Sequence, residues 1–548
     1  MNHRVRRRGI RAVVVALLTS LAVGIGLGPA SAEYAEIEGS GSTWAYTIVQ
    51  QWIADVNAQG MRITFNNNGS SQGRKDFANY VTDFGDSDIP YQGVDPVTHQ
   101  ADASSRPYAY LPVVAGGTAF TYQIKVAGKL VTNLRLSGET IAKIFTNKIT
   151  NWSDPQITKE NGGHALPSLP ITPVVRSDGS GATAQFTLWL DHQYPSIWRS
   201  YNGSAGLTSI YPRKGRQVAA SGDDGVMNTV DSAAGNGDIG YAEYSYPLNA
   251  RYPVVYVENK AGYFVQPTQY NVAVALTKAR INMQKTINGK PNIDYLTQEL
   301  DGVYNYGDPR TYPISSYSYM IIPTSASDQR MTVAKRQTVA DFLSYSLCTG
   351  QSKAGPYGYS PLPLNLVKAA FGQLETLGPS ALSADGSKVS PVAGVKVKNP
   401  SANLAACDNP TFVKGNLSAN HLAQVAPMPL PCQKASAQPC GDAVVPPGTP
   451  GKKGAGSPTS TGTTATSGST GTPGTTAVDP TTGQAIGATT DGTTTSASGP
   501  VSANTATVSN HLQGDNKIFG GVAVLELLAI VLLPGLYIAW TRRRKGTA

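Results

Sequence analysis

The sequence contains few of the residues that usually carry catalysis or hold metals. Its 548 residues include four cysteines and six histidines, and the histidines show neither a metal-type spacing nor a triad-like local pattern. Ser180 lies in Asp-Gly-Ser-Gly, which differs from the Gly-x-Ser-x-Gly of a hydrolase nucleophile elbow. We therefore expect no catalytic residues, no metal, no cofactor and no enzymatic activity.

The chain also lacks the pattern of a nucleic-acid-binding protein. Its net charge of +9 comes partly from two basic ends. No cluster of lysine and arginine interleaved with aromatic residues occurs between them. A nucleic-acid partner is therefore not expected.

Both ends of the chain carry membrane signals. Residues 1–32 combine a basic start, an apolar stretch and the small residues Ala30-Ser-Ala32, a pattern typical of a removable signal peptide. Residues 518–540 are apolar apart from Glu526 and long enough to cross a membrane, which takes about 20 residues, so a transmembrane helix is predicted at residues 517–541. The basic residues 542–548 then predict a cytoplasmic tail. We expect a single-pass protein of the cell membrane whose binding domain is extracellular.

The segment before the predicted span has the composition of a linker. Residues 378–516 are rich in Pro, Thr, Ser and Gly, and residues 454–510 contain no Lys, Arg, Glu or aromatic residue. Such a stretch buries too little apolar surface to offset its ordering entropy. We therefore predict a disordered extracellular stalk and end the globular unit at Leu377.

The four cysteines, Cys348, Cys407, Cys432 and Cys440, all lie in the predicted extracellular part. Export favours two disulfides, for which three pairings are possible. Proximity favours Cys432 with Cys440, which leaves Cys348 for Cys407.

Strand-like runs alternate with helical runs, which predicts an α/β architecture. The strand-like runs are residues 110–114, 118–124, 171–175, 254–257 and 318–322. A helical pattern follows residues 39–44, with Thr43 at the expected N-cap, and the last helices are predicted at residues 333–346 and 366–377.

Three strand-to-helix turns contain glycine together with hydroxyl side chains. They are residues 39–44, 66–73 and 176–183. Such turns gather at the carboxyl edge of an open α/β sheet, and a helix N-terminus offers free N–H groups and the positive end of its dipole. The three turns therefore predict a site for a small oxyanion.

Six motifs in collinear order resemble the phosphate-binding component of the bacterial high-affinity phosphate ABC transporter. They are Gly39-Ser-Gly-Ser-Thr-Trp44, Asn68-Gly-Ser-Ser-Gln-Gly73, Asp83-Phe-Gly-Asp-Ser-Asp88, Leu136-Ser-Gly-Glu-Thr140 with Asn151-Trp152, Arg176-Ser-Asp-Gly-Ser-Gly181 and Gly237-Asp-Ile-Gly-Tyr-Ala-Glu-Tyr244. The resemblance implies a two-lobed periplasmic-binding-protein type II fold with a double crossover. The phosphate-binding domain would span residues 33–377, with lobe one at 33–114 and 256–377 and lobe two at 115–255.

The resemblance also implies the residues that bind inorganic phosphate. They are Thr43, Trp44, Ser70, Asp88, Arg176, Ser180, Gly181 and Ala182, with Asp178 and Thr183 in support. Asp88 would accept a hydrogen bond from protonated phosphate and thereby reject sulfate.

Three positions depart from the family pattern, and one of them is Trp44, which replaces a phenylalanine. Ala182 replaces a threonine whose hydroxyl contacts the ligand, a loss that Thr183 would have to compensate, and Asp86 replaces a small residue and adds a carboxyl group near the site.

The function that the resemblance implies is capture of phosphate outside the membrane and its delivery to ABC permease subunits. The alternative is a surface sensor or scavenging protein of the same fold that feeds no permease. The long linker and the predicted C-terminal anchor, which are unusual for a transport subunit, keep this alternative open.

Overall fold

The computed structural model describes residues 34–94, 99–382, 392–400 and 403–441. The predicted signal peptide, the transmembrane helix at 517–541, the basic tail and the linker from residue 442 onward lie outside the described residues. Within them, no helix combines the length and the apolar composition that crossing a bilayer requires.

Eight strands of the described chain form one mixed sheet. Its order is β11-β10-β12-β6-β19-β3-β1-β2. The strands, numbered along the chain, are β1 (Ile37–Gly41), β2 (Ile63–Asn66), β3 (Phe84–Ser87), β4 (Gly93–Val94), β5 (Ala101–Asp102), β6 (Tyr108–Tyr122), β7 (Lys125–Val126), β8 (Lys129–Leu130), β9 (Arg135–Leu136), β10 (Thr172–Arg176), β11 (Val218–Ala220), β12 (Asp238–Glu243), β13 (Tyr256–Glu258), β14 (Phe264–Val265), β15 (Arg280–Ile281), β16 (Thr286–Ile287), β17 (Lys290–Pro291), β18 (Gln298–Glu299) and β19 (Ser315–Pro323).

Helices cover this sheet and connect its strands. They are α1 (Tyr46–Asn57), α2 (Ser70–Ala78), α3 (Gly138–Phe145), α4 (Pro155–Glu160), α5 (Gly181–Gln193), α6 (Pro195–Asn202), α7 (Gly222–Val230), α8 (Ser245–Ala250), α9 (Gln269–Leu276), α10 (Asp301–Tyr304), α11 (Val333–Leu347), α12 (Leu364–Leu374) and α13 (His421–Val425). The predicted α/β class is confirmed.

The long strand β6 joins two lobes. Its first part, through Gly117, pairs with β19, and its second part, from Thr118 to Tyr122, pairs with β12. Lobe one is therefore the part built on β1, β2, β3 and β19, and lobe two the part built on β10, β11 and β12.

The strand directions make the two lobes face each other. The strands β3 and β6 are both antiparallel to β19 and so run the same way, whereas β12 is antiparallel to β6. The strand β1 is parallel to β3, and β10 is parallel to β12. The carboxyl ends of the two parallel sets therefore point toward each other, which is where α/β sheets bind ligands.

The strand β6 is continuous where the sequence suggested two separate strands. Gly116 and Gly117 interrupt the apolar pattern there. Each lies against a bulky neighbour, because a Cβ at Gly116 would meet the Trp44 ring and one at Gly117 would meet Pro267. These glycines are thus required by close packing within a strand, and they do not mark a turn.

The chain returns to lobe one later than the sequence indicated. The strand β13 pairs with β9 and β14, all outside the lobe-one sheet. The next element that packs against β6 and β19 of lobe one is α9, which begins at Gln269. The predicted lobe boundary at residue 256 therefore lies at the start of β13, whereas the chain returns to lobe one after β14.

The globular unit does not end at Leu377. Residues 403–441, which we call the C-terminal strap, pack on both lobes. Cys407 is buried and forms a disulfide with Cys348, and Asn409 Nδ2 donates to Leu362 O at 3.0 Å in lobe one. Farther along, Ala435 N donates to Gly262 O at 2.8 Å beside β13. The prediction from the Pro-rich composition failed here because hydrogen bonds and a disulfide order this segment, which contains little regular structure beyond α13.

Both predicted disulfides, Cys348–Cys407 and Cys432–Cys440, are confirmed. The first attaches the strap to the end of α11, and the second closes a loop near Arg135. The Arg135 Nη1 donates to Ala437 O at 3.1 Å, so this loop is held on lobe two.

Candidate functional site

Arg176 ends β10 and lies between the lobes with its side chain almost fully buried. Its Nε donates to Asp178 Oδ1 at 2.8 Å, and its Nη1 pairs with Asp223 Oδ2. From lobe two, its Nη2 reaches Thr43 Oγ1 of lobe one at 2.7 Å. Two carboxylates thus orient the guanidinium, and one of its donors crosses the cleft.

The sequence analysis missed Asp223. It lies in the first turn of α7, and besides Arg176 it accepts hydrogen bonds from Thr43 Oγ1 and from Glu243 N, the latter at 2.7 Å. The available signal was Ser221-Gly-Asp-Asp, a fourth glycine-containing strand-to-helix turn, but the three-residue strand before it was too short to recognise.

The neighbouring carboxylates keep the Arg176 guanidinium protonated. Burial alone would lower its pKa, but Asp223 and Asp178 together raise the pKa above its ordinary value. Burial raises the pKa of Asp178, but Arg176 outweighs this effect and lowers it overall. The site therefore contains a permanently charged guanidinium at every physiological pH.

Asp88 lies just beyond β3 and is surrounded by hydroxyl groups. Ser42 Oγ is 2.8 Å from its Oδ1, Ser70 Oγ is 3.1 Å from its Oδ2, and Ser318 Oγ is 2.6 Å from its Oδ1. From lobe two, Gln185 Nε2 donates to the backbone oxygen of Asp88 at 2.8 Å. The carboxyl group is thus held by hydroxyls, without an arginine in direct contact among the described hydrogen bonds.

Burial raises the pKa of Asp88 to about 6, against the opposing effect of the Ser318, Ser42 and Ser70 hydroxyls and with a contribution from nearby Asp223. Besides Asp223, two further carboxyl groups in the region are fully buried. Burial raises the pKa of Asp86 well above its ordinary value, as does Asp88, and burial likewise raises that of Glu243. Near neutral pH the region carries less negative charge than its carboxyl groups suggest.

Thr43 does not cap the helix that follows it. The helix α1 begins at Tyr46 after Ala45, and Ala45 N donates to Ser42 Oγ at 3.2 Å. The N-cap residue is thus Ala45, no side chain caps the helix, and the Ser42 hydroxyl acts in the turn before it. The Thr43 hydroxyl is instead engaged by Arg176 across the cleft.

Ser70 and Gly181 bring the two lobes into contact. Ser70 is the first residue of α2 and Gly181 the first of α5. A Cβ at Gly181 would collide with Ser70 Oγ and Asp88 Oδ2, so only glycine allows this approach. The backbone also bridges the lobes there, since Ser71 N donates to Gly179 O at 2.9 Å.

The remaining predicted residues of lobe two make contacts within that lobe. Ser180 Oγ caps α5 by accepting from Thr183 N at 3.2 Å. Thr183 Oγ1 lies 2.6 Å from Tyr241 OH, and Ala182 is buried. That Thr183 compensates for the hydroxyl missing at Ala182 stays a prediction. Ser180, Ala182 and Thr183 face the cleft as part of the N-terminus of α5.

Trp44 packs against β6, the strand that joins the two lobes. Its ring is buried, with Nε1 3.3 Å from Thr118 Oγ1 of β6, and its backbone oxygen accepts from Tyr359 OH at 2.6 Å. The predicted backbone N–H contact of Trp44 with phosphate stays a prediction.

Four helices begin around this site: α1, α2, α5 and α7. The first turn of each helix has N–H groups without a partner in the helix itself, and each N-terminus has a partial positive charge equivalent to roughly half an elementary charge. Together with Arg176 they favour an anion between the lobes and offset the carboxylates there. The described residues contain no cluster of His, Cys, Asp and Glu that fits a metal ion.

Comparison with known proteins identifies the class. A family model described as a PBP superfamily domain matches residues 28–349, so the chain belongs to that superfamily of binding proteins. The phosphate-binding protein PstS of Xylella fastidiosa strain Temecula1 is 30% identical over 346 residues, which cover 62% of this chain and 86% of that relative. The chain therefore belongs to the family of PstS phosphate-binding proteins, the substrate-binding proteins of phosphate ABC transporters.

Two further proteins are similar to this chain. PstS 2 of Mycobacterium tuberculosis strain H37Rv is 32% identical over 342 residues, which cover 60% of this chain and 83% of that protein. The solved structure of a phosphate-binding protein from Stenotrophomonas maltophilia covers 61% of this chain and 92% of its own, with 17% identity and a TM-score of 0.45. The family resemblance inferred from the six motifs is confirmed, and so is the expectation of a binding protein instead of an enzyme.

Proposed function

We propose that this protein binds inorganic phosphate between its lobes and delivers it to the permease subunits of an ABC transporter. The observation that carries this proposal is the bond of 2.7 Å from Arg176 in lobe two to Thr43 in lobe one. An arginine that is buried, always charged and aimed across the cleft is suited to a small anion that both lobes enclose.

The ligand is surrounded by groups from both lobes. Lobe one provides the Thr43 hydroxyl, the N–H groups of Thr43 and Trp44, and Ser70. Lobe two provides Arg176 together with Ser180, Gly181 and Ala182 at the start of α5. The hydroxyls of Thr43 and Ser180 exchange their present partners for phosphate oxygens when the ligand binds.

Asp88 makes the site selective for phosphate. At neutral pH phosphate carries a proton that it can donate to a carboxylate, whereas sulfate carries none. A buried acceptor that faces sulfate is left unpaired, at a cost of about 1–3 kcal/mol or more. The hydroxyls on Asp88 keep its carboxylate in place for this bond.

The protein acts at the cell surface. The signal peptide at 1–32 exports the chain, the apolar segment 517–541 anchors it, and the linker lets the binding domain reach a permease. This part of the proposal rests on the sequence, because these segments lie outside the described residues.

Two experiments test the proposal. Equilibrium dialysis of the purified full-length protein with labelled phosphate, in competition with sulfate and arsenate, should show one phosphate per chain, displaced by arsenate but not by sulfate. Phosphate uptake at low external phosphate should fall in cells that lack the protein and recover with the wild type. Normal binding with unchanged uptake would favour the sensor or scavenging alternative.

A further inference from the structure

One hydroxyl group lies between two buried carboxyl groups beside the proposed phosphate site. Ser318 Oγ on β19 is 2.6 Å from Asp88 Oδ1 and 2.9 Å from Asp86 Oδ1. A hydroxyl carries a single proton, so it can donate to one carboxylate only. Both contacts are hydrogen bonds only if one of the two carboxyl groups is protonated and donates to Ser318.

The two other serine hydroxyls that contact Asp88 show the direction of the hydrogen bonds in this group. Ser42 Oγ donates to Asp88 and accepts from Ala45 N at 3.2 Å. Ser70 Oγ donates to Asp88 Oδ2 and accepts from Asp88 N at 3.3 Å. Each serine thus receives one hydrogen bond and passes one to the Asp88 carboxylate. For Ser318, the described group that can supply the incoming hydrogen bond is Asp86.

We propose that Asp86 is a positioning residue that remains protonated, donates to Ser318 Oγ, and thereby directs the Ser318 proton to Asp88. Asp88 then stays an ionised acceptor for the hydroxyl of the bound phosphate. The inference rests on the proposed function. It identifies Asp86 as the residue that keeps the Asp88 carboxylate ionised and ready to accept a hydrogen bond from phosphate.

The proton belongs on Asp86 because Asp86 receives fewer hydrogen bonds than Asp88 does. Asp88 receives three hydroxyl donors, whereas Asp86 Oδ2 is buried without a partner among the described residues. An ionised carboxylate with one bare buried oxygen is costly, and a neutral acid is much less so.

The neighbouring ionisable groups act in the same direction. Asp88 faces Asp86 and raises its pKa further beyond the effect of burial. On β19, Tyr319 has a raised pKa and stays neutral, and on α2 the Arg74 guanidinium is already paired with Asp102 at 2.8 Å. Asp86 therefore adds no negative charge to the anion site, which accounts for a carboxyl group where the family has a small residue.

The first test compares Asp86→Asn with Ser318→Ala in calorimetric phosphate titrations of the full-length protein at neutral pH. An asparagine amide can donate to Ser318 as the acid does, so Asp86→Asn should bind phosphate within about threefold of the wild type. Ser318→Ala removes a donor to Asp88 and should weaken binding at least about fivefold, as expected for a lost bond to a charged group. A gain of tenfold or more in Asp86→Asn would mean that Asp86 is ionised and repels phosphate, and a loss as large as that of Ser318→Ala would also overturn the proposal.

The second test detects the proton itself. The infrared spectrum of the wild type at neutral pH should contain a carbonyl band of a buried carboxylic acid that Asp86→Asn removes. Glu243→Gln is the matched control, because Glu243 is a second buried carboxyl group and its loss should leave the Asp86 band in place. A spectrum that Asp86→Asn leaves unchanged would refute the proposal.

The remaining outcomes are also informative. If Asp86→Asn does not fold, the Ser318→Ala variant still decides, since it should shift the Asp86 band by removing its hydrogen-bond acceptor, and an unshifted band would contradict the proposal. A wild-type protein that carries the Asp86 band but ignores phosphate would end the proposed function while leaving the proton on Asp86 established.

Discussion

Asp88 is a buried carboxyl group whose surroundings suit a partner that donates a hydrogen bond. Three serine hydroxyls point at it, and the backbone oxygen of the same residue is held by Gln185 of the opposite lobe. A ligand that donates a proton completes this arrangement, and a ligand without one opposes it.

Asp88→Asn should therefore relax the discrimination between phosphate and sulfate. An amide in place of the carboxylate can donate to either ion, so we expect the ratio of the two affinities to fall at least about fivefold, in line with the penalty for an unpaired buried acceptor. Calorimetric titration with each ion measures the ratio. Asp224→Asn, an exposed neighbour of the site, is the control and should leave the ratio unchanged. An unaltered ratio in Asp88→Asn would remove Asp88 from the selectivity mechanism.

The raised pKa of Asp88 also predicts how stability depends on pH. Because the pKa is about 6 in the folded protein and 3.8 ordinarily, the native state binds this proton more tightly than the unfolded chain does. The stabilising effect of that proton is fully present below about pH 4 and is lost as the pH rises through about 6. The difference corresponds to about 3 kcal/mol for this buried group.

Thermal unfolding of ligand-free protein between pH 4 and pH 7 measures this effect. The free energy of unfolding of the wild type, relative to Asp88→Asn, should fall across this range. A constant difference between the two proteins would show that Asp88 titrates normally.

At the level of elements, the start of α5 sets how closely the lobes approach. Gly181→Ala would place a methyl group against Ser70 Oγ and Asp88 Oδ2. We expect phosphate affinity to fall at least about tenfold, because the lobes cannot close, with little change in the unfolding midpoint. Gly372→Ala in α12 is the matched control, since its added Cβ meets no atom within 4 Å. Equal phosphate affinity in both variants would contradict the role of this contact.

The C-terminal strap is an element that contributes to stability. The Cys348–Cys407 disulfide closes a loop with a sequence separation of 59, and Cys432–Cys440 one with a separation of 8. The loop-entropy relation predicts a loss of about 4 kcal/mol for Cys348→Ser with Cys407→Ser and about 2–3 kcal/mol for the second pair of serines. Denaturant unfolding of both double variants measures the losses, and a larger loss for the second pair would contradict the account.

The sequence predicts an element well when the residues that determine it are close together in the chain. The Arg176 turn is recognisable because its glycines and hydroxyls are adjacent in the sequence. Asp223, Ser42 and Ser318 could not be assigned, since their roles arise from contacts with residues far along the chain. The strap was missed for the same reason, because Cys407 and Ala435 are ordered by partners in distant segments and not by a periodic pattern.

For the whole molecule, the direction of the strands explains why the site lies between the lobes. The strands β6 and β19 carry the sheet from one lobe to the other, and the carboxyl ends of the two parallel sets face each other across the hinge. The motifs predicted that the polar turns gather at one edge. That each lobe provides its own edge was implied only by the family resemblance, because it depends on the antiparallel pairing of β6 with β12 and not on the turns themselves.

The most direct test of the central claim is a crystal structure of the protein with phosphate. We predict one phosphate ion between the lobes, within hydrogen-bonding distance of Thr43 and Ser70 on one side and of Arg176 and Ser180 on the other, with its protonated oxygen on Asp88. Phosphate bound elsewhere, or contacts from one lobe only, would contradict the account.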